Sequence, residues 1–184
     1  MVYKVTLLTL TLLLSIPTFV LAQVQDPARR PVSSITDAKW KEYRSMYGAS
    51  PICSKDEITL WSCETTRKTF VLCSSTSVGK DSGYIQYRAA NKGKIIFTYP
   101  DSKIPPSGSF AYYLSANGDA TLEFSNGGYD YNLTDRLRGR SQILVDRKNT
   151  QGHISQISCK NGNQTLQVNY TMRLMFDAGI WAGY

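Results

Sequence analysis

Four cysteines constrain this 184-residue chain more than any other feature. Cys53, Cys63 and Cys73 are equally spaced around two strand-like runs, residues 57–64 and 68–75, and Cys159 stands far downstream. Behind an export signal such cysteines read as disulfide partners and not as thiol catalysts. The two runs flank a polar turn at residues 65–68, so in the hairpin Cys63 faces a residue near Phe70 and lies about three places out of register with Cys73. A disulfide spans at most about 7 Å between Cα atoms, which disfavours a Cys63–Cys73 bond. Two connectivities stay open: Cys53 with Cys63 plus Cys73 with Cys159, or Cys53 with Cys73 plus Cys63 with Cys159. Either ties the C-terminal strand region to the first hairpin, and the larger loop contributes roughly 4 kcal/mol in the chain-entropy treatment. A zinc site is a poor alternative, because the spacings do not suit it and His153 is the only histidine.

The export signal occupies residues 1–22. Lys4 is its only charge, an apolar run follows, and Val20-Leu21-Ala22 offers the small-residue pattern of a cleavage site, so the mature chain is expected to start at Gln23. Pro17 interrupts the run and no cysteine follows the cut, which argues against a stable membrane anchor or a lipoprotein. The whole chain carries a formal charge of +7, and loss of Lys4 leaves +6. In an exported protein that excess favours an acidic protein partner or anionic surface polymers over nucleic acid.

Residues 23–52 read as a leader rich in proline and arginine, followed by one short helix at residues 34–47, where Trp40, Tyr43, Met46 and Tyr47 recur at helical spacing. Residues 53–184 read as a single β domain. Short apolar or alternating runs at 58–64, 69–75, 84–88, 94–99, 110–115, 120–125, 129–134, 141–147 and 153–160 are separated by turn chemistry, and 166–175 adds a last strand or tail. Asn117-Gly118 is the expected positive-φ pair of one hairpin. About nine antiparallel strands, all-β, with two disulfides fit a sandwich, a barrel or a small propeller-like array.

Catalytic constellations are missing. His153 has no nucleophile elbow to serve, and the cysteines are expected to be oxidised. Asp119, Glu123, Asp130 and Asp135 could in principle supply paired carboxylates, yet three of the four sit at turns or strand ends, where aspartate serves local hydrogen bonding. No phosphate-cradling or calcium loop is present, so no enzyme, cofactor or metal is expected. Binding therefore falls to loops and exposed tyrosines. Three loops present candidate contacts: residues 101–109, stiffened by Pro105-Pro106 and ending in Ser107, Gly108 and Ser109; residues 125–128, with Asn126; and residues 135–141, with Arg136, Arg138, Arg140 and Ser141. A stiff loop with a small-residue tip can enter a narrow cleft at low ordering cost.

Cys53, then Leu60-Trp61-Ser62-Cys63-Glu64-Thr65, then Val71-Leu72-Cys73-Ser74-Ser75, then Gly83-Tyr84-Ile85-Gln86-Tyr87-Arg88 and Tyr99-Pro100 run in an order that resembles a set of exported bacterial all-β proteins. Their signature is an SCxT-like hairpin, an SxCxS-like strand and a YLQYRFG-like strand. The chain departs from it at Ala89-Ala90, so no inhibitory residue is carried over by position. The signature is similar to that of periplasmic immunity proteins of the type VI secretion system, which block peptidoglycan amidases by pushing a loop into the enzyme's cleft. The resemblance implies a periplasmic inhibitor whose protein partner is a cell-wall amidase or other peptidoglycan hydrolase. Small exported lysozyme inhibitors are a weaker analogy, because a basic inhibitor would meet like charge on a basic lysozyme. The alternative from a different class is an envelope module that binds an anionic glycan or peptidoglycan. Three Asn-x-Thr triplets, at Asn132, Asn163 and Asn169, are formal glycosylation acceptors, outweighed by the bacterial resemblance.

Overall fold

A computed structural model describes residues 49–136, 138–150, 152–160 and 180. Nine antiparallel strands lie in two sheets. The first is a meander of β1 (Glu57–Glu64), β2 (Lys68–Ser75), β3 (Ile85–Asn91) and β4 (Lys94–Tyr99), hydrogen-bonded in that order. The second is a meander of β5 (Ala111–Leu114), β6 (Ala120–Asn126), β7 (Tyr129–Asp135), β8 (Gln142–Arg147) and β9 (His153–Ser158). The chain passes from one sheet to the other through residues 100–110. The other connections, including the longer β2–β3 link over residues 76–84, keep consecutive strands side by side in one sheet.

Alternation decides what each sheet buries. On β3, Ile85, Tyr87 and Ala89 point into the main core, and Gln86, Arg88 and Ala90 point to the other face. Leu60, Phe70, Leu72 and Tyr87 of the first sheet meet Tyr112, Leu122, Phe124, Leu133 and Ile143 of the second in one core. The bulge between Thr59 and Trp61 breaks the alternation on β1 and turns both Leu60 and Trp61 inward, each fully buried. The Phe124 ring bridges the sheets by stacking on Tyr99 of β4 at 4.5 Å, and within its own sheet it stacks on Tyr131 of β7 at 4.7 Å.

Cys53 is bonded to Cys73 and Cys63 to Cys159, the second of the two open connectivities. Cys63 lies opposite Phe70, as the register argument requires. Cys53–Cys73 clamps residues 52–54 over the outer face of the first sheet, where Ile52, Val71 and Ala90 form a small second core. Cys63–Cys159 joins the sheets, and the Lys160 N–H adds a bond to the Glu64 carbonyl at 2.7 Å. Two disulfides fit an oxidising compartment outside the cytoplasm.

One turn differs from the expectation. Between β5 and β6 only Gly118 takes a positive φ, +87°, while Asn117 accepts the Asp119 N–H through its side chain at 3.1 Å. Two-residue positive-φ turns fall instead on Gly127-Gly128, between β6 and β7, and on Lys92-Gly93, between β3 and β4. The signal peptide, the leader, the helix at 34–47 and the strand at 166–175 lie outside the described residues. Among the described residues there is no helix, and none long and apolar enough to cross a membrane.

Candidate functional site

The outer face of the first sheet carries a buried polar network built from the signature strand. Tyr84, Gln86 and Arg88 fall on one face because they are spaced by two. Arg88 donates through both terminal nitrogens to Glu57, at 2.6 and 2.7 Å, and also to Gln86 Oε1 at 2.7 Å and the Ile52 carbonyl at 3.3 Å. The Tyr84 hydroxyl and the Ser54 N–H donate to the same carboxylate at 2.6 and 2.7 Å. The Glu57 side chain is wholly enclosed. Burial alone would raise its pKa, but hydrogen bonds from Arg88, Tyr84 and Ser54, with the Arg88 charge, outweigh burial and hold it at about 2.

That network reaches the connection between the sheets. Gln86 Nε2 donates to the Pro100 carbonyl at 2.8 Å, after the cis Tyr99–Pro100 peptide. Lys103 Nζ lies 4.5 Å from the centroid of the Tyr84 ring and 3.7 Å from Glu57 Oε1. The other root of the loop is held by the Tyr99 hydroxyl, which donates to the Ser109 carbonyl at 3.0 Å, and by the Ser109 N–H donating to Pro106 at 3.0 Å. Pro106 is buried, while Pro105, Ser107 and Gly108 are exposed. Gly108 sits at φ +78° with open space where a side chain would go. The loop is therefore tied at both ends and free at its tip.

Beside that tip opens a cleft of about 780 Å3. Ser107, Gly108 and Ser109 line one side, and Glu123, Ser125, Asp130 and Asn132 of β6 and β7 line another. Phe110, Phe124 and Ile180 add apolar surface, and Lys80 comes from the β2–β3 link. Burial, the Asp130 charge and, more weakly, Asp146 raise the Glu123 carboxyl above the usual range, against a hydrogen bond from Tyr113 that lowers it. Asp130 accepts a hydrogen bond from Ser125 and lies 3.9 Å from Lys148 Nζ. Such a cleft can hold a ligand that is part apolar and part hydrogen-bonding.

The loop residues singled out in the sequence separate into two groups. Ser107, Gly108 and Ser109 line the cleft, and exposed Asn126 adjoins it at the end of β6. Arg136, Arg138 and Arg140 are exposed at the opposite end of the second sheet, about 20 Å away along a seven-residue strand. Ser141 is fully buried and its hydroxyl donates to the buried Asp135 carboxylate, so it secures the arginine loop instead of presenting to a partner. Of the four carboxylates noted together, Glu123 and Asp130 line the cleft, whereas Asp119 belongs to the β5–β6 turn. His153 is half exposed and pairs through Nδ1 with Asp146 on the strand beside it. Cys53, Glu57 and Cys73 could geometrically group around an ion, but both sulfurs are in a disulfide and the carboxylate is committed to Arg88, so they fit no metal. Glu57 was not singled out by sequence reasoning, although the spacing Tyr84-x-Gln86-x-Arg88 signals a polar row in need of a counter-charge.

The fold and site define a disulfide-stapled β protein of two sheets with a tethered loop walling a mixed polar and apolar cleft. No protein-family model, no curated protein and no solved structure matches the chain.

Proposed function

We propose that the protein is an exported, periplasmic binding protein that inhibits a peptidoglycan-degrading enzyme by inserting the 101–110 loop into the enzyme's cleft. The observation that carries this reading is the loop itself: both roots are fixed by Gln86, Tyr99 and Ser109, and between them Ile104, Pro105, Ser107 and Gly108 are exposed. Ordering has already been met by the fold, so little entropy is lost when such a tip enters a narrow site. The disulfides suit the compartment, and the cell-wall target follows from the resemblance of the signature strands. The strand arrangement behind the loop is read as a sandwich of the two sheets.

Stoichiometric capture from periplasmic extract, or with an enzyme encoded by the adjacent gene, tests the proposal together with a peptidoglycan-hydrolysis assay. Gly108→Trp is expected to abolish inhibition while leaving the fold intact, because its side chain meets open space, although the positive φ adds a modest strain. Capture at background level, or inhibition untouched by Gly108→Trp, would sink it. A second reading rests on the exposed Arg136, Arg138 and Arg140: an envelope module holding an anionic glycan at the far end of the sheet. Co-sedimentation with purified cell wall that falls as salt rises supports that reading, and absence of sedimentation at low salt removes it.

A further inference from the structure

Two Asn-Gly pairs stand in the described turns, and the fold treats them differently. Asparagine followed by glycine is open to an intramolecular reaction, because the glycine amide can approach the asparagine side-chain carbonyl with no Cβ in the way. At Asn117-Gly118 both reacting groups are engaged. The Gly118 N–H donates to the Ser115 carbonyl at 2.9 Å. The Asn117 side-chain carbonyl accepts the Asp119 N–H at 3.1 Å and the Ser115 hydroxyl, and its NH2 donates to the Asp119 carboxylate at 3.2 Å. At Asn126-Gly127 both residues are exposed, and Gly127 takes φ +57° with nothing within 4 Å of where a Cβ would sit. The β6–β7 ladder ends on the pair Asn126↔Tyr129, which leaves the Gly127 N–H in the turn outside it. Among the described residues, neither that N–H nor the Asn126 carboxamide is hydrogen-bonded. A third pair, Asn161-Gly162, lies outside the described residues.

We propose that Asn126 is a site of spontaneous deamidation, a covalent modification that the β6–β7 turn permits and the β5–β6 turn suppresses. The Gly127 backbone nitrogen loses its proton to water or hydroxide and bonds to Asn126 Cγ, and the side-chain nitrogen leaves as ammonia, closing a five-membered succinimide. Water then adds to one of the two imide carbonyls and breaks its C–N bond. Opening at Cγ gives aspartate, and opening at the backbone carbonyl gives isoaspartate. No electrons are exchanged, and water is the only co-reactant. Either product replaces a neutral amide by a carboxylate at an exposed residue adjoining the cleft. Isoaspartate also adds a methylene to the backbone at Asn126↔Tyr129, next to the Ser125↔Asp130 pair that lines the cleft. The modification does not rest on the proposed inhibition, since it needs only the turn and water.

Incubation of the full exported protein in mildly alkaline buffer, followed by proteolysis under acidic conditions and fragment-ion mapping by mass spectrometry, tests it. Asn126 should gain the mass that separates a carboxylic acid from an amide, at a rate that rises with pH, with aspartate and isoaspartate forms resolved by chromatography. In the folded protein Asn126 should react about tenfold or more faster than Asn117, because the reacting groups at Asn117 must first give up hydrogen bonds. The same chain, reduced and unfolded in denaturant, should bring the two rates together, which assigns the native difference to the fold. Asn126→Gln can close only a six-membered ring, which forms far more slowly. It should abolish the product while leaving the denaturation midpoint unchanged, since the residue is exposed. Asn126 intact while Asn117 reacts, equal rates at the two sites in the folded protein, or a rate at Asn126 that does not rise with pH overturns the proposal.

Discussion

Glu57 and Gly83 show how single residues set the loop-bearing end of the first sheet. Glu57 titrates at about 2 when folded against an ordinary 4.5, so the unfolded chain binds its proton first. The resulting stabilisation, on the order of 3 kcal/mol, is complete above pH about 4.5 and is lost as the pH falls through about 2. Denaturant midpoints measured from neutral pH downward should therefore decline over that window in the native chain, and Glu57→Gln should flatten the acid limb while lowering the neutral-pH midpoint. Gly83, at φ +66°, brings the backbone so close that an added Cβ would sit 2.3 Å from Ser75 Oγ and 2.4 Å from the Ser77 carbonyl. Gly83→Ala combines that overlap with a left-handed φ, and a loss of about 2 kcal/mol or more is expected by chemical denaturation. The same serine hydroxyl accepts the Tyr84 N–H at 3.1 Å, so the substitution also displaces the tyrosine that closes on Glu57.

At the scale of elements, β3 acts as a spine between a core and a loop. Its inward residues fill the core, and its outward Gln86 and Arg88 fasten Pro100 and Ile52 on either side. Gln86→Leu removes the tie to Pro100 and leaves the Arg88 hydrogen bond to it unmade. About 1–2 kcal/mol of global stability should be lost, and amide exchange should rise locally across residues 101–110. Exchange unchanged in that loop would show that Tyr99 and Ser109 suffice to hold it. Much of this element was legible beforehand. The runs 57–64, 68–75 and 94–99 coincide with β1, β2 and β4, because alternation bounded by turn residues leaves little freedom. The division between sheets was not legible, since hairpin pairing is local information while the departure of residues 100–110 depends on where Tyr99 and Phe124 stack. The cleft was half legible: its small-residue wall could be read from Pro105 to Ser109, but Glu123 and Asp130 looked like ordinary turn and strand acids until β6–β7 pairing brought them together.

For the molecule as a whole, the two disulfides differ in what they join. Cys53–Cys73 spans 20 positions and ties the segment before β1 to the first sheet, and Cys63–Cys159 spans 96 and links the two sheets. In the chain-entropy treatment these are worth about 3 and about 4.7 kcal/mol respectively. Paired alanine replacements should lower the unfolding free energy in that order, and the Cys63/Cys159 pair should also weaken the union of the sheets, seen as earlier amide exchange of β9 and β1. Equal losses for the two pairs would argue that strain or residual structure, not loop length, governs their effect.

Cys63–Cys159 lies on the far side of the 101–110 loop in both directions along the chain, Cys63 before it and Cys159 after it. A protease that cuts at Ser107 or Gly108 would therefore yield two polypeptides, each carrying one sheet, that remain a single covalent object. Such a nicked molecule would migrate as intact on a non-reducing gel and as two fragments after reduction.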